Sequence, residues 1–332
     1  MFTIEDVEVI YFDKDALREP NYKLKRFNKD GKRYYYKRDD FNRIYYYPSV
    51  TTLLGDVVPE NEYLEKWKEE QGPVMAKYIM EWKAEYGTIM HILIAYFLVN
   101  KKINLNSLTS IFDISKYKHW NDDWVYELQS DLAAFAKFAN DVELKPLAIE
   151  VMLCSEKYKI AGAIDLVAEI TYNKKRIIVL IDFKSSRKNY SSISHELQLG
   201  YYKAMWEENF PNYKIDKIYN WKPKDFRTAT PTYTLTDQSE KCDVTTLEAY
   251  HTIYYSKNIV KPADVKVISG DLILGKVTDN VAIMQMDDVI NSLETKVYVD
   301  ESGEVYEESW DFETVDSAPT KSNLPVNNYE DF

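Results

Sequence analysis

Ile177-Ile178-Val179-Leu180-Ile181-Asp182-Phe183-Lys184-Ser185-Ser186 is the stretch on which the fold turns. Its apolar run has the length and continuity of a strand covered on both faces, the kind that lies inside an α/β sheet. The run ends in an acid and a base two positions apart. Side chains alternate along a strand, so Asp182 and Lys184 share a face. The preceding stretch, Ile160-Ala161-Gly162-Ala163-Ile164-Asp165-Leu166-Val167, places a lone carboxylate among apolar neighbours. Tyr172-Asn173-Lys174-Lys175 joins the two runs, which predicts a strand pair that brings Asp165 toward Asp182.

Further out, residues 148–154 read as another short strand, and residues 196–209 as a helix followed by a strand at 217–221. Helical periodicity covers 62–100, interrupted near Gly72-Pro73, and a second helix is predicted over 120–142. Helix, three strands, helix, strand is an α/β order, with a central mixed β-sheet flanked by helices. Before this core, Tyr22-Lys23-Leu24-Lys25-Arg26-Phe27, a turn at Asn28-Lys29-Asp30-Gly31, and Arg33-Tyr34-Tyr35-Tyr36 read as a hairpin. A second extended run reaches Pro48, where Ser49 or a following Thr is placed to cap a helix. Lysine, arginine and tyrosine interleave here, either as an aromatic sheet packed on itself or as a surface for nucleic acid. Beyond the core, 244–256 reads as helix, 265–277 as extended and 281–295 as helix. The expected organisation is a β-rich extension (1–46), the catalytic core (47–255), an α/β accessory segment (256–296) and an acidic, loosely ordered tail (297–332).

Two cysteines, Cys154 and Cys242, exclude a disulfide framework and a four-cysteine iron–sulfur cluster. No apolar run approaches the roughly 18 residues that span a bilayer, and Met1-Phe2-Thr3-Ile4-Glu5-Asp6 lacks a signal-peptide pattern, so no membrane role is expected and the cytoplasm is the expected location. The formal net charge of −12 would argue against a polyanionic substrate were it spread evenly. It is concentrated instead: residues 297–332 hold ten acidic residues against one lysine, and the rest of the chain is nearly neutral.

Two neighbouring carboxylates repel each other and lose hydration, so one must take a proton or both must share a cation. Oxygen ligands of this kind suit Mg²⁺ or Mn²⁺. Such an ion activates water and stabilises charge developing on phosphorus, and Lys184 would orient that water or screen the phosphate. An Asp–Lys ion pair at a strand end is common by itself, and its neighbours are what change its meaning.

Those neighbours resemble the PD-(D/E)XK nucleases, specifically their RecB-like and phage recombination exonuclease branch. Gly162-Ala163-Ile164-Asp165 is similar to the family's Gly-x-Ile-Asp strand, and Ile181-Asp182-Phe183-Lys184-Ser185 to its Asp-x-Lys-Thr/Ser strand. Gln198-Leu199-Gly200-Tyr201-Tyr202 looks like the Gln-x-x-x-Tyr helix, and Tyr86-Gly87-Thr88-Ile89-Met90-His91 like the Gly-Thr-x-x-His helix. The resemblance implies a restriction-endonuclease-like core in which His91, Asp165, Asp182 and the backbone carbonyl of Phe183 ligate metal. It implies that Lys184 is the catalytic lysine, and that Gln198, Tyr202 and Ser185 contact DNA or brace the site. Glu150 matches the family's early glutamate, with Glu156 close enough to compete for that role or Lys159 to pair with it instead. His119, His195 and His251 have no motif around them and read as surface or packing residues. No Gly-x-x-x-x-Gly-Lys-Ser/Thr loop occurs, so no ATP-driven motor is fused to this stretch.

The function this implies is a metal-dependent exonuclease resecting linear double-stranded DNA ends for recombination or repair, in the host cytoplasm if phage-encoded. Its partners would include a single-strand annealing or single-strand-binding protein, and oligomers occur in the branch. A structure-specific endonuclease and a non-cutting nuclease-like DNA-binding protein are the alternatives.

Overall fold

The computed structural model describes residues 11–13, 15–186, 193–224, 231–241 and 243–257, with four short strands beyond them. The chain divides into two units, Met1–Ile259 and Val260–Phe332.

In the first unit, β1 (Tyr11–Phe12) precedes a three-stranded antiparallel sheet of β2 (Lys25–Lys29), β3 (Lys32–Arg38) and β4 (Ile44–Pro48). The β2–β3 loop is the two-residue Asp30-Gly31, both at positive φ, the conformation that matches the twist of a hairpin. Ser49 then caps α1 (Val50–Val57), its hydroxyl accepting from the Thr52 N–H at 2.9 Å. Helix α2 (Glu62–Gln71) stops at Gly72, whose φ of +73° an L side chain would resist, and Pro73 opens the long α3 (Pro73–Asn100). Helix α4 (Trp124–Asp141) begins four residues later than its periodicity predicts, because Asn121–Asp123 form a turn in which the Trp120 indole donates to Asp122 at 2.9 Å.

The central sheet follows: β5 (Lys145–Ser155), β6 (Ile160–Tyr172) and β7 (Lys175–Phe183), then α5 (Ile193–Asn209), β8 (Lys217–Pro223), β9 (Tyr233–Asp237) and α6 (Val244–Ser256). Its strand order is β1-β5-β6-β7-β8-β9, with β7 and β8 parallel and the other neighbours antiparallel. This is the mixed sheet expected, and helices cover both faces. Val179, Ile181 and Phe183 pack with α3 and α4, whereas Leu180 and Ile218 pack with α1, α5 and α6. The β7 run is therefore buried on both sides, which is why it carries no polar alternation. Asn173 and Lys174, both at positive φ, close the β6–β7 hairpin, and its register sets Leu166 opposite Ile181, hence Asp165 opposite Asp182.

In the second unit, β10 (Lys266–Ser269) pairs antiparallel with β11 (Ala282–Gln285), and β12 (Val297–Val299) with β13 (Val305–Glu307). The helix expected over 281–295 is corrected at its start, where Ala282–Gln285 is a strand. A four-residue apolar run has no helical period of its own, and a partner strand supplies its backbone hydrogen bonds. The rest of that segment, and the tail after Glu307, lie outside the described residues.

Candidate metal centre and active site

Helix α3 passes the end of β7 at Gly87. A Cβ on Gly87 would stand 3.4 Å from Ser185 Oγ at the end of β7, and one turn further His91 turns into the cluster. His91 Nδ1 lies 3.0 Å from Glu150 Oε1 and 3.8 Å from Asp165 Oδ1. Asp165 Oδ2 accepts the Phe183 N–H at 2.7 Å, and Lys184 Nζ pairs with Asp182 Oδ2 at 2.8 Å. These five clustered side chains come from α3, β5, β6 and the end of β7.

Strict alternation would not bring both Glu150 and Asp165 to His91. Ile149 packs on the α3–α4 side of the sheet and Val151 on the α5 side, although residues two apart on a strand normally share a face. The same reversal separates Ile164 from Leu166 across Asp165. At Glu150 it is made by a left-handed backbone, φ +50°, within a strand. A glutamate held there costs on the order of 1–3 kcal/mol, and such strain collects at functional sites. Glu150 thus joins the cluster through backbone distortion that residue type does not reveal.

The competing readings of Glu150 resolve by contact. Lys159 pairs with Glu156 at 2.6 Å and not with Glu150. Glu156 also accepts from Lys37 at 2.6 Å and Tyr47 at 2.7 Å, tying the N-terminal sheet to the core. Burial opposes its charge, but these donors hold its pKa down at about 2.

Electrostatics in the cluster are those of negative charge confined without water. Burial, then the carboxylates of Asp182 and Glu150, push the Asp165 pKa up to about 8 despite the pull of His91. Burial depresses His91, yet the carboxylates of Asp165, Glu150 and Asp182 outweigh it and raise its pKa to about 9. Asp182 likewise outweighs burial at Lys184 and raises its pKa.

On α5, Gln198 Nε2 donates to the Tyr202 hydroxyl at 2.9 Å, one turn away. The Tyr202 ring lies against β6 so closely that a Cβ on Gly162 would come within 2.7 Å of its Cε1. The motif glycine is therefore a seat for the motif tyrosine. His195, expected as a surface or packing residue, stands in the field of the centre: burial and then the Lys184 charge hold its pKa down at about 4, so it is neutral. No motif surrounds it; its position one turn before Gln198 on α5 is the only sequence trace. His119 packs edge-on to Tyr78 and His251 lies between Tyr158 and Tyr255, as packing residues.

The donor set fits a divalent ion. One ligand atom from each of His91, Glu150 and Asp165 lies within 4.8 Å of the others, a mixed imidazole–carboxylate group on two adjacent buried strands and the helix beside them. Asp182 stands in register beside Asp165, within the same field.

A mixed sheet flanked by helices, with a histidine, three carboxylates and a lysine gathered on it, is a restriction-endonuclease-like fold. The chain belongs to the PD-(D/E)XK nuclease superfamily, whose model matches residues 61–261. No curated protein matches the chain. Among solved structures it is similar to one titled "Crystal structure of SSO0001", at 16% identity and a TM-score of 0.24, over 49% of this chain and 70% of that one. Members of the superfamily are phosphodiesterase nucleases that use divalent metals, so the substrate class is DNA. Among the described residues no helix is long and apolar enough to cross a membrane.

Proposed function

We propose that this chain is a Mg²⁺- or Mn²⁺-dependent DNA exonuclease that resects linear double-stranded ends in recombination or repair. The observation that carries the nuclease reading is the convergence of His91, Glu150 and Asp165 beside the Lys184–Asp182 pair. The exonuclease preference rests on the four ordered motifs and their likeness to the RecB-like and phage branch.

His91, Glu150, Asp165 and Asp182 are the residues that would hold the ion, with the Phe183 carbonyl as a further donor. A bound divalent ion supplies Lewis acidity toward phosphate and lowers the pKa of its water. Lys184, kept charged by Asp182, would stabilise negative charge growing on the scissile phosphate. Gln198 and Tyr202 brace α5 against β6, fixing the wall opposite α3. The phage origin, a single-strand-binding partner and an oligomeric form belong to the same reading.

Linear, nicked, closed-circular and single-stranded DNA incubated with Mg²⁺ or EDTA test it, beside Asp182→Ala and Lys184→Ala. Metal-dependent loss of linear duplex alone supports the exonuclease. Cutting of closed circles supports an endonuclease instead, and binding without cutting supports a nuclease-like DNA-binding protein. Activity surviving both substitutions would remove the site assignment.

A further inference from the structure

Strand β8 runs parallel to β7 on the side away from Asp165, and its register sets Asn220 beside Asp182 and Trp221 beside Phe183. Leu180 and Ile218 pack toward α1, α5 and α6, so two residues further on Asp182 and Asn220 share that face. The Lys184 N–H donates to the carbonyl of the fully buried Trp221 at 2.9 Å, which fixes the base of the lysine side chain against β8. Its ammonium folds back to Asp182 Oδ2 at 2.8 Å. Nζ therefore lies at the level of the Asp182–Asn220 row, where adjacent strands are only about 4.8 Å apart.

The Asn220 side-chain oxygen is buried and accepts no hydrogen bond among the described residues. Buried acceptors are rarely left so, and an amide oxygen can be satisfied only by a donor. Neither a carboxylate nor a phosphate supplies one. The Lys184 ammonium does, since it carries three N–H bonds and its contact with Asp182 uses one. Asp182, meanwhile, has two calls on it. In the nuclease reading it holds the ion, and in the chain itself it holds the lysine. Two cations sharing one carboxylate repel each other, so an Asp182 turned to a divalent ion keeps the ammonium less well.

We propose that Asn220 is the second seat of the Lys184 ammonium: when Asp182 ligates metal, Nζ turns from Asp182 to donate to Asn220 Oδ1. This rests on the nuclease reading and deepens it by adding a positioning residue for the lysine. The movement is a side-chain rotation across one strand spacing, with the lysine backbone held at Trp221. A neutral amide oxygen orients the ammonium without cancelling its charge, which a carboxylate would do. The positive charge is then left for the scissile phosphate. Asn220 acts through Lys184 and touches neither the ion nor the DNA.

The test is Mn²⁺ affinity of the full-length protein, read by calorimetry without DNA, in a double-mutant cycle of Asn220→Ala and Lys184→Met. Removing the second seat leaves the ammonium competing with the ion at Asp182, so Asn220→Ala is expected to weaken Mn²⁺ binding ~3–10-fold, within the range of coupling between neighbouring side chains. In the Lys184→Met background no ammonium has to move, and adding Asn220→Ala should change the affinity by less than about 2-fold. In cleavage at saturating Mg²⁺, Asn220→Ala should lower kcat more than it raises KM for DNA. Equal weakening of Mn²⁺ binding in both backgrounds would mean that the amide acts on the ion or on packing, and overturns the proposal; so does no weakening in either. If Asn220→Ala does not fold, Asn220→Val, a good strand residue with no side-chain acceptor, is read by the same cycle. Wild-type protein that binds no Mn²⁺ would overturn the metal-centre reading itself. Wild-type Mn²⁺ binding without a Lys184-dependent effect of Asn220 would overturn the second seat alone.

Discussion

Asp165 and His91 keep protons in the folded chain that they would give up when unfolded. Asp165 titrates at about 8 against 3.8, because burial and the Asp182 and Glu150 carboxylates oppose its charge. His91 titrates at about 9 against 6.5, because the Asp165, Glu150 and Asp182 carboxylates outweigh its burial. A raised folded pKa gives stability that is complete below the unfolded value and is lost as pH rises through the folded one. For Asp165 the loss runs from about 4 to about 8, and for His91 from about 6.5 to about 9. Metal-free protein is therefore expected to melt at progressively lower temperature between pH 6 and pH 9. A divalent ion displaces these protons and binds more tightly as pH rises. The increase in melting temperature on adding Mn²⁺ should then be larger at pH 9 than at pH 6, and absent in Asp165→Asn. Thermal scans with and without metal at the two pH values decide this; an equal gain at both would mean the ion is not replacing protons here. The nearness of Asp165 to Asp182 was legible in the sequence, since two apolar runs joined by Tyr172-Asn173-Lys174-Lys175 read as a strand pair, and the β6–β7 register is that pair. Glu150 was legible only as one of two glutamates, because the left-handed backbone that aims it at His91 leaves no mark in residue type. The lowered pKa of His195 was not legible, because it comes from burial and from the charge of Lys184, eleven positions away in sequence.

At the level of elements, the centre depends on how closely helices approach the sheet. Gly162 lets the Tyr202 ring of α5 rest on β6, with a Cβ contact of 2.7 Å waiting if the glycine is replaced. Tyr202 is itself buried and bonded to Gln198, and so has little room to retreat. Gly162→Ala should displace α5 and lose the Gln198–Tyr202 hydrogen bond, costing ~1–3 kcal/mol as overpacking does. Chemical denaturation of this variant measures the cost. Gly162→Ala combined with Tyr202→Phe should stay destabilised, because the clash is with a ring carbon, whereas Gly162→Ala with Tyr202→Leu should recover part of the loss. Full stability in Gly162→Ala alone would mean that α5 is free to shift. The sequence carried this layer well where local chemistry is strong: the Asp30-Gly31 turn, the Ser49 cap and the Gly72-Pro73 break all lie where their residues dictate. It carried less where pairing across the sheet decides. The start of the expected 281–295 helix is a strand because Lys266–Ser269 pairs with it, and no local signal announces a partner thirteen or more residues away.

For the whole molecule, charge distribution bears on a polyanionic substrate more directly than shape does. The formal charge of −12 is an unfavourable sum for a DNA nuclease, yet ten of the acidic residues fall between 297 and 332 against one lysine. The remainder of the chain, in which Lys184 lies, is therefore close to neutral. Acidic residues on a C-terminal segment raise the energy of approach for DNA over distances of about a Debye length, ~10 Å at 0.1 M salt. Removing them therefore removes repulsion of a polyanion. A chain ending at residue 296 should bind duplex DNA more tightly than the full chain at low salt. The advantage should shrink as salt rises, since screening weakens repulsion in the full chain and attraction in both. Titrations at several salt concentrations separate this from a role in docking a protein partner. Docking would leave DNA affinity equal in the two forms and abolish capture of the partner by the shortened one. A truncation that binds DNA no better at any salt would show that the acidic segment does not shape access to the centre.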